Sequence, residues 1–469
     1  MLEGLLEEAS AGRGTLVSVR GRRQVGKSRL IGEFVERSGR PAVFFTASRR
    51  PAPVELALFA DAARVSGIES AGALTGGGAG SWEAALRLAT ADARPGKPAV
   101  IIIDELPYLA ESEPAIEAII QKVWHTLERR PVLMIVVGSD IAMMESLTAY
   151  GRPLYGRARE LVVHPLSVAE IAQLRTLDPM AAMDAYLVIG GFPRLAGLWR
   201  AKDTVTSFLR REMADETSPF VVMGERTMAA EFPADLSARA VLAAIGAGER
   251  SHSAILDRSG VGRGTIDRAI SVLSEKRVVR RATPYAEPPG TKVPRYSIVD
   301  PYLRFWLRFV QPAIELIARG QTDLAPAQAI EDWNTYRGRA VEQLVRDSIE
   351  RMLPQSEFGG ARFVGSYWTK DNRVEVDLVG GRKADRAGTV EFIGSIKWRD
   401  RAPFDRHDVA ALAQARKQVP GAGPKTRLVG VSRSGFSTGD LDVALDPGRL
   451  VSAWDVAPPP QEKRKPRRT

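Results

Sequence analysis

Over the first 200 residues, short apolar runs alternate with stretches of helical spacing. Thr15 to Val19, Val43 to Thr46, residues 99–104 (AVIIID) and residues 132–138 (VLMIVVG) read as strands. The last two are apolar without interruption, the pattern of parallel strands buried on both faces. Between the runs, residues 27–35, 82–93 and 115–128 repeat apolar positions at helical intervals. Strands alternating with helices predict a parallel sheet covered on both sides. Gly72 to Ser81 (GALTGGGAGS) reads as a mobile loop. YLVIGGFP at 186–193 ends a helix at Gly190 and Gly191 before Pro193. That turn either packs near a bound base or is a plain helix terminus. No internal repeat is evident.

The pattern then changes. Residues 236–247, 254–259 and 265–276 form three short helical stretches, the third with Ile266, Ile270 and Leu273 on one face. Arg277 to Thr283 and Val293 to Ile298 read as two strands joined by EPPGTK. Tyr302, Phe305, Trp306 and Phe309 recur at helical spacing and are expected in a core. Further on, GRAVEQLVRDSIERML reads as a helix, and VEVDLVG and EFIGSIKW as neighbouring strands.

Chemistry enters at the end of the first strand. Gly21-x-x-x-x-Gly26-Lys27-Ser28 is a complete phosphate-binding loop in its required strand–loop–helix setting. Glycines let backbone N–H groups approach phosphate oxygens, and the helix N-terminus adds partial positive charge. The expected nucleotide contacts are Gly21, Arg22, Arg23, Gln24, Val25, Gly26, Lys27, Ser28 and Arg29, with Lys27 on the β- and γ-phosphates and Ser28 on Mg²⁺. The strand 99–104 ends in Asp104, placed to hold Mg²⁺ through water, and Glu105 follows to polarise the attacking water. Ser139, closing the strand 132–138, is a γ-phosphate sensor or an ordinary strand-end cap. Phosphoryl transfer gains from an arginine on the transferred group; Arg157 is the first candidate and Arg152 the second.

Composition narrows the class. At 469 residues, length suggests about three domains. The chain has no cysteine, which excludes disulfides and thiolate metal sites, and His125, His164, His252 and His407 form no metal-spaced pair. No apolar stretch approaches the roughly 20 residues of a membrane span, and MLEGLLEEAS is no signal peptide, so a cytoplasmic protein is expected. The net charge of +10 permits nucleic-acid contact. Part of it lies in the terminal PPPQEKRKPRRT, whose Pro-rich pattern predicts disorder: a solvated end or a nucleic-acid-binding arm.

GRRQVGKS, IIIDELPYL, QKVW at 121–124, IVVGSDIAMM, PLYGR, YLVIGGFP, DPYLRFWLRFV and GSIKW occur in this order from about residue 12 to residue 400. Together they resemble the prokaryotic, archaeal-type AAA ATPases that carry a C-terminal nuclease-like domain of unassigned function. The resemblance implies an AAA-type P-loop domain with a parallel sheet (1–165), a helical lid (166–230), a winged helix (231–315), and a small restriction-endonuclease-like α/β domain (330–455) before the basic tail (456–469). The family resembles AAA relatives with a short Phe/Arg-Glu box ahead of the loop. Here only MLEGLLEEAS precedes it. A start upstream would explain that departure, and adenine recognition from that side stays open.

The three helices and two strands of the middle region fit a winged helix by themselves. Its third helix is the recognition element. Arg263, Thr265 and Arg268 are the candidate DNA contacts, with Arg280 and Arg281 on the wing; the alternative is a lid or protein dock. In the last domain, Glu342, Asp377 and Lys397 resemble a Glu…Asp…Glu-x-Lys endonuclease constellation, in which carboxylates hold a divalent cation and lysine orients water. Ser395 stands where the second carboxylate belongs, and a hydroxyl brings no charge to a hard cation. Glu375 and Glu391 are the candidate substitutes. Two functions follow: an ATP- and Mg²⁺-dependent switch coupled to DNA or a protein, or an ATP-regulated nuclease. An arginine acting in trans would require a homo-oligomer.

Overall fold

A computed structural model of the chain describes residues 1–74, 80–232, 235–285, 293–353, 355–383 and 388–455. It divides into two compact units after Pro165.

In the first unit, α1 (Leu2–Ser10) leads into β1 (Thr15–Arg20), α2 (Lys27–Ser38), β2 (Ala42–Thr46), α3 (Ala52–Arg64), α4 (Trp82–Ala89), β3 (Ala99–Asp104), α5 (Leu106–Ser112), α6 (Ile116–Leu127), β4 (Val132–Gly138), α7 (Ile141–Leu147) and β5 (Ala158–Val162). The five strands form one sheet in the order β2-β3-β4-β1-β5, every pair parallel. Each residue of β3 and β4 is buried. Alternate strand residues face opposite cores. Val17, Val19, Ile102 and Ile135 meet α1 and α2, whereas Leu16, Ile101, Ile103 and Met134 meet α3, α4 and α6.

The expected strands and helices are present. The helix read over 82–93 stops at Ala89, because Thr90 Oγ1 turns back to the Leu86 carbonyl at 2.8 Å and Pro95–Gly96 follow. Leu2, Leu5 and Ala9 bury α1 against the sheet, an element the sequence reading did not place; nor did it place β5 or α3. Of the loop expected over 72–81, residues 70–73 form a 3₁₀ turn and 75–79 lie outside the described residues.

The second unit starts with α8 (Val168–Arg175), α9 (Pro179–Ile189), α10 (Pro193–Leu198), α11 (Val205–Glu212) and α12 (Pro219–Glu231). Next come α13 (Leu236–Gly246), α14 (His252–Ser259), α15 (Arg263–Glu275) and the antiparallel pair β6 (Val279–Ala282) and β7 (Arg295–Ile298). This is the three-helix and two-strand arrangement expected. The second helix begins at His252 because Ser251 Oγ caps it, accepting from Ala254 N at 3.3 Å. EPPGTK lies outside the described residues.

After α16 (Pro301–Phe305), a π-helical turn over Trp306–Val310 runs into α17 (Gln311–Ala318). Tyr302, Phe305, Trp306 and Phe309 are all buried, as core. Gly190, at φ +60°, ends α9 against Tyr302, whose Cβ lies 3.1 Å from where a glycine substituent would stand.

The chain continues through α18 (Ala327–Glu331), α19 (Trp333–Met352), β8 (Phe363–Trp368), β9 (Glu375–Gly381), β10 (Val390–Lys397), α20 (Arg406–Arg416), β11 (Arg427–Ser432), β12 (Val443–Leu445) and α21 (Pro447–Ser452). These strands form a second, mixed sheet in the order β12-β11-β10-β9-β8. Val168, Ala169, Ala182 and Met183 of α8 and α9 share its core with α19. Those two helices, expected to belong to an ATPase lid, are therefore packed with the C-terminal sheet.

Candidate nucleotide site

The strand order creates the site. Parallel strands aim all their C-terminal ends at one edge, and β4 lies between β1 and β3. The loop after β1, Asp104 at the end of β3 and Ser139 after β4 therefore meet on that edge, although 76 positions separate Ser28 from Asp104 in sequence.

Backbone geometry shapes the loop. Gln24 has φ +65° and Gly26 φ +94°, so two left-handed residues curl the chain before α2. A Cβ on Gly21 would stand 2.3 Å from the Val163 carbonyl oxygen, so only glycine fits there. Val25 is buried beneath the loop, and Arg29 is exposed on α2. Lys27 lies across the loop, Nζ donating to the carbonyls of Gly21 (2.9 Å) and Arg22 (2.8 Å).

Ser28 Oγ donates to Asp104 Oδ2 at 2.7 Å, and Asp104 Oδ1 accepts from Glu105 N at 3.0 Å. Glu105 is itself left-handed, at φ +55°. A non-glycine residue pays about 1 kcal/mol or more there. Ser139 Oγ donates to Glu105 Oε1 at 2.8 Å, while Glu105 Oε2 is buried with no hydrogen-bond partner among the described residues. Ser139 thus steers the carboxylate of Glu105.

Three neighbours escaped the sequence reading. The guanidinium of Arg49 stacks 4.0 Å from the Tyr108 ring, and that of Arg23 lies 5.8 Å from the same ring. Buried Glu55 Oε1 accepts from Ser48 N at 2.9 Å and Arg50 N at 2.7 Å, bracing the chain after β2. The one sequence cue was the SRRP run, which reads as a turn but does not reveal its partners.

Arg157 lies elsewhere. It precedes β5, whose Ala158 pairs with Leu16 at the start of β1, and it lines a cleft with Arg13 and Thr15 at the opposite pole of the sheet from the loop. A six-residue strand spans roughly 20 Å. Arg157 Nη1 donates to the Pro153 carbonyl at 3.1 Å. Arg152, the second candidate, pairs with Glu117.

The C-terminal candidates are near one another but differently employed. Asp377 Oδ2 accepts from Ile396 N at 2.8 Å and from Ser395 Oγ at 3.3 Å. Burial, reinforced by the nearby Glu342 charge, pushes its pKa above the ordinary aspartate value. Glu342 is 3.7 Å from Arg346, and Lys397 Nζ is 3.7 Å from Asp408, itself held bidentately by Arg399. The two proposed substitute acids are also engaged, Glu375 by Arg295 at 2.5 Å and Glu391 by Arg382 at 2.8 Å. Among the described residues, no three His, Cys, Asp or Glu side chains are gathered to hold a metal.

On α15, Arg263, Thr265 and Arg268 are exposed. Arg280 on β6 lies 3.7 Å from Asp347 of α19, and Tyr285 N donates to the Ser366 carbonyl at 2.8 Å. The β6–β7 pair is thus docked on the C-terminal sheet, and its arginines are not equally available. The basic tail lies outside the described residues. No described helix is long and apolar enough to cross a membrane.

The chain is similar to known proteins in two segments. Residues 1–194 match a family described as an ATPase domain predominantly from Archaea, and residues 306–411 match archaeal and bacterial proteins of unknown function. An uncharacterized protein of Methanocaldococcus jannaschii is 25% identical over 310 residues, which is 65% of this chain and 68% of the relative. Among solved structures, the Walker-type ATPase of Pyrococcus abyssi is similar over 66% of this chain and 93% of its own, at 20% identity and a TM-score of 0.46. The Aeropyrum pernix ORC2 protein, solved as ADPNP–ADP complexes, covers 68% of this chain and 92% of its own, at 14% identity and a TM-score of 0.41. With its phosphate loop, its acid-bearing central strand and the match over those residues, the segment 1–194 is an ATPase domain of the kind found predominantly in Archaea.

Proposed function

We propose that this protein hydrolyses ATP with Mg²⁺ and uses its nucleotide state to switch a winged-helix module that contacts DNA. The observation that carries the hydrolytic part is the meeting of Ser28 and Asp104 at 2.7 Å beside the buried, unpartnered Glu105 Oε2. A hydroxyl and a carboxylate are the hard oxygen donors that Mg²⁺ prefers, and the ion retains waters in its remaining positions. Bound there, Mg²⁺ would neutralise charge on the phosphate oxygens.

The chain's own groups have separable tasks. Backbone N–H groups from Gly21 to Ser28 would cradle the phosphates at the start of α2. Lys27 would exchange its two carbonyl partners for phosphate oxygens. Glu105, held by Ser139, would orient water toward the γ-phosphorus and take its proton as the bond to the bridging oxygen breaks. Arg157 would act on the nucleotide of a neighbouring copy, because it faces away from its own.

The exposed side chains of Arg263, Thr265 and Arg268 on α15 support the DNA-facing part. The nuclease reading has weaker support, since Lys397, Glu375 and Glu391 each pair with another charged side chain.

Calorimetry and turnover assays test the proposal. Lys27→Ala is expected to lose ATP binding. Glu105→Gln is expected to bind ATP but turn it over at least about 100-fold more slowly. Equal turnover in Glu105→Gln and wild type would overturn hydrolysis at this site. Failure of the wild-type protein to take up ATP would overturn the whole reading.

A further inference from the structure

A second cavity, of about 410 Å³, lies within the C-terminal unit, among the end of α13, strand β7, the π-helical turn and the first turns of α19. Its size falls within the range of small-molecule pockets. Four guanidinium groups line it: Arg250, Arg304, Arg308 and Arg339. Among the described residues two carboxylates share the wall, Glu249, whose partner lies outside it, and Asp332, whose partner is the wall's own Arg308. Glu249 lies 3.6 Å from Arg258, and Asp332 lies 3.9 Å from Arg308.

The four arginines are not equivalent. Arg304 Nη2 donates to the Ala340 carbonyl at 2.8 Å, and Arg308 donates to the Ala247 carbonyl. These two brace the wall. Arg250 and Arg339 have no ion pair and no side-chain hydrogen bond among the described residues. Burial pulls the Arg250 pKa below the ordinary arginine value, and the nearby Arg339 and Arg295 charges add to the fall, against Glu342 and Glu375. Holding Arg250 away from water beside another guanidinium is unfavourable, and Glu342 and Glu375 offset that cost without forming an ion pair with it. Among the described residues, Arg304 Nε and the Tyr336 hydroxyl, also on the wall, are buried without a well-formed hydrogen bond, although Arg304 is near enough to act on that hydroxyl. The donors left for a ligand are chiefly those of Arg250 and Arg339. Tyr296, Phe309 and Tyr336 add aromatic surface beside them.

We propose that this cavity binds a small phosphorylated molecule of about mononucleotide size, its phosphate held by Arg250 and Arg339 and its organic part set against the aromatic wall. Guanidinium forks match phosphate oxygens in geometry and charge. A half-enclosed chamber favours a compact ligand over a continuous nucleic-acid backbone, which needs an open groove. The proposal concerns a site separate from the phosphate loop and does not depend on ATP hydrolysis.

The experiment uses the full chain carrying Lys27→Ala, which disables the loop's grip on phosphate, titrated calorimetrically at low salt with pyrophosphate and with AMP. Saturable binding of at least one probe is expected. Adding Arg250→Gln and Arg339→Gln is expected to weaken it at least tenfold with an unchanged thermal midpoint in the absence of probe. Should the double variant fold poorly, exposed Arg339→Gln alone is expected to weaken binding severalfold. No binding of either probe to the Lys27→Ala chain overturns the proposal, and so does binding indifferent to these arginines. Single-stranded DNA that binds through the same two arginines more tightly than AMP would overturn it in favour of a nucleic-acid backbone.

Discussion

Glu105 shows how one residue carries several demands at once. It caps α5, sits in the left-handed region and points one carboxylate oxygen at Ser139 while the other stays unpartnered. Fold stability alone would place asparagine or glycine at φ +55° more comfortably. The strain is tolerated where the chemistry needs the acid. Gly26 is the converse case, a residue chosen for backbone freedom at φ +94°. Gly26→Ala is expected to destabilise the first unit by about 1–2 kcal/mol and to weaken ATP binding, checked by thermal melts and calorimetry.

Elements show the same economy in their packing. Gly224 of α12 lies flat on the buried indole of Trp306, where an added Cβ would stand 2.1 Å from Cδ2. Trp306 Nε1 donates to the Val221 carbonyl at 2.7 Å, so the indole cannot retreat without losing that bond. Gly224→Ala is therefore expected to cost about 1–3 kcal/mol, visible as a thermal midpoint several degrees lower without loss of ATP binding. α15 presents its polar face outward for a different reason, since Ile266, Ala269, Ile270 and Leu273 use up its apolar face. Arg263→Ala with Arg268→Ala is expected to weaken duplex DNA binding at 50–200 mM salt and to flatten its salt dependence, as loss of phosphate contacts would. DNA binding indifferent to both substitutions would assign α15 to a lid or protein dock.

At the scale of the whole molecule, the question is how the nucleotide site is completed. Arg157 stands at the pole of the sheet opposite the phosphate loop of its own chain, beside Arg13, Arg129 and Arg159. If neighbours complete the site, Arg157→Ala and Lys27→Ala chains should each be inactive alone, yet regain part of the ATP turnover when mixed. Concentration-dependent specific activity, measured with light scattering, checks the same point. Absence of recovery in a mixture shown to associate would leave Arg157 without a catalytic task.

Local patterning along this chain was enough to specify the phosphate loop, the acids after β3, the parallel sheet and the three-helix module, because spacing and buried apolar runs are properties of neighbouring residues. Ser28 and Asp104 could be named as a candidate pair for that reason, each lying inside a short motif, and the fold brings them within 2.7 Å. Position in space was not. Whether Arg157 faces its own loop depends on which strand lies beside β1, and that follows from the order β2-β3-β4-β1-β5. Arg280 reads as a free wing arginine until α19 brings Asp347 to it. Lys397 reads as a candidate nuclease lysine, and its motif gives no sign of Asp408, which the fold brings to 3.7 Å. The arginine-walled cavity had no signature at all, since Arg250, Arg304, Arg308 and Arg339 come together only when α13 and α19 pack around the π-helical turn. Long-range pairing of charged side chains is decided by packing, and packing is the part that one-dimensional spacing leaves undetermined.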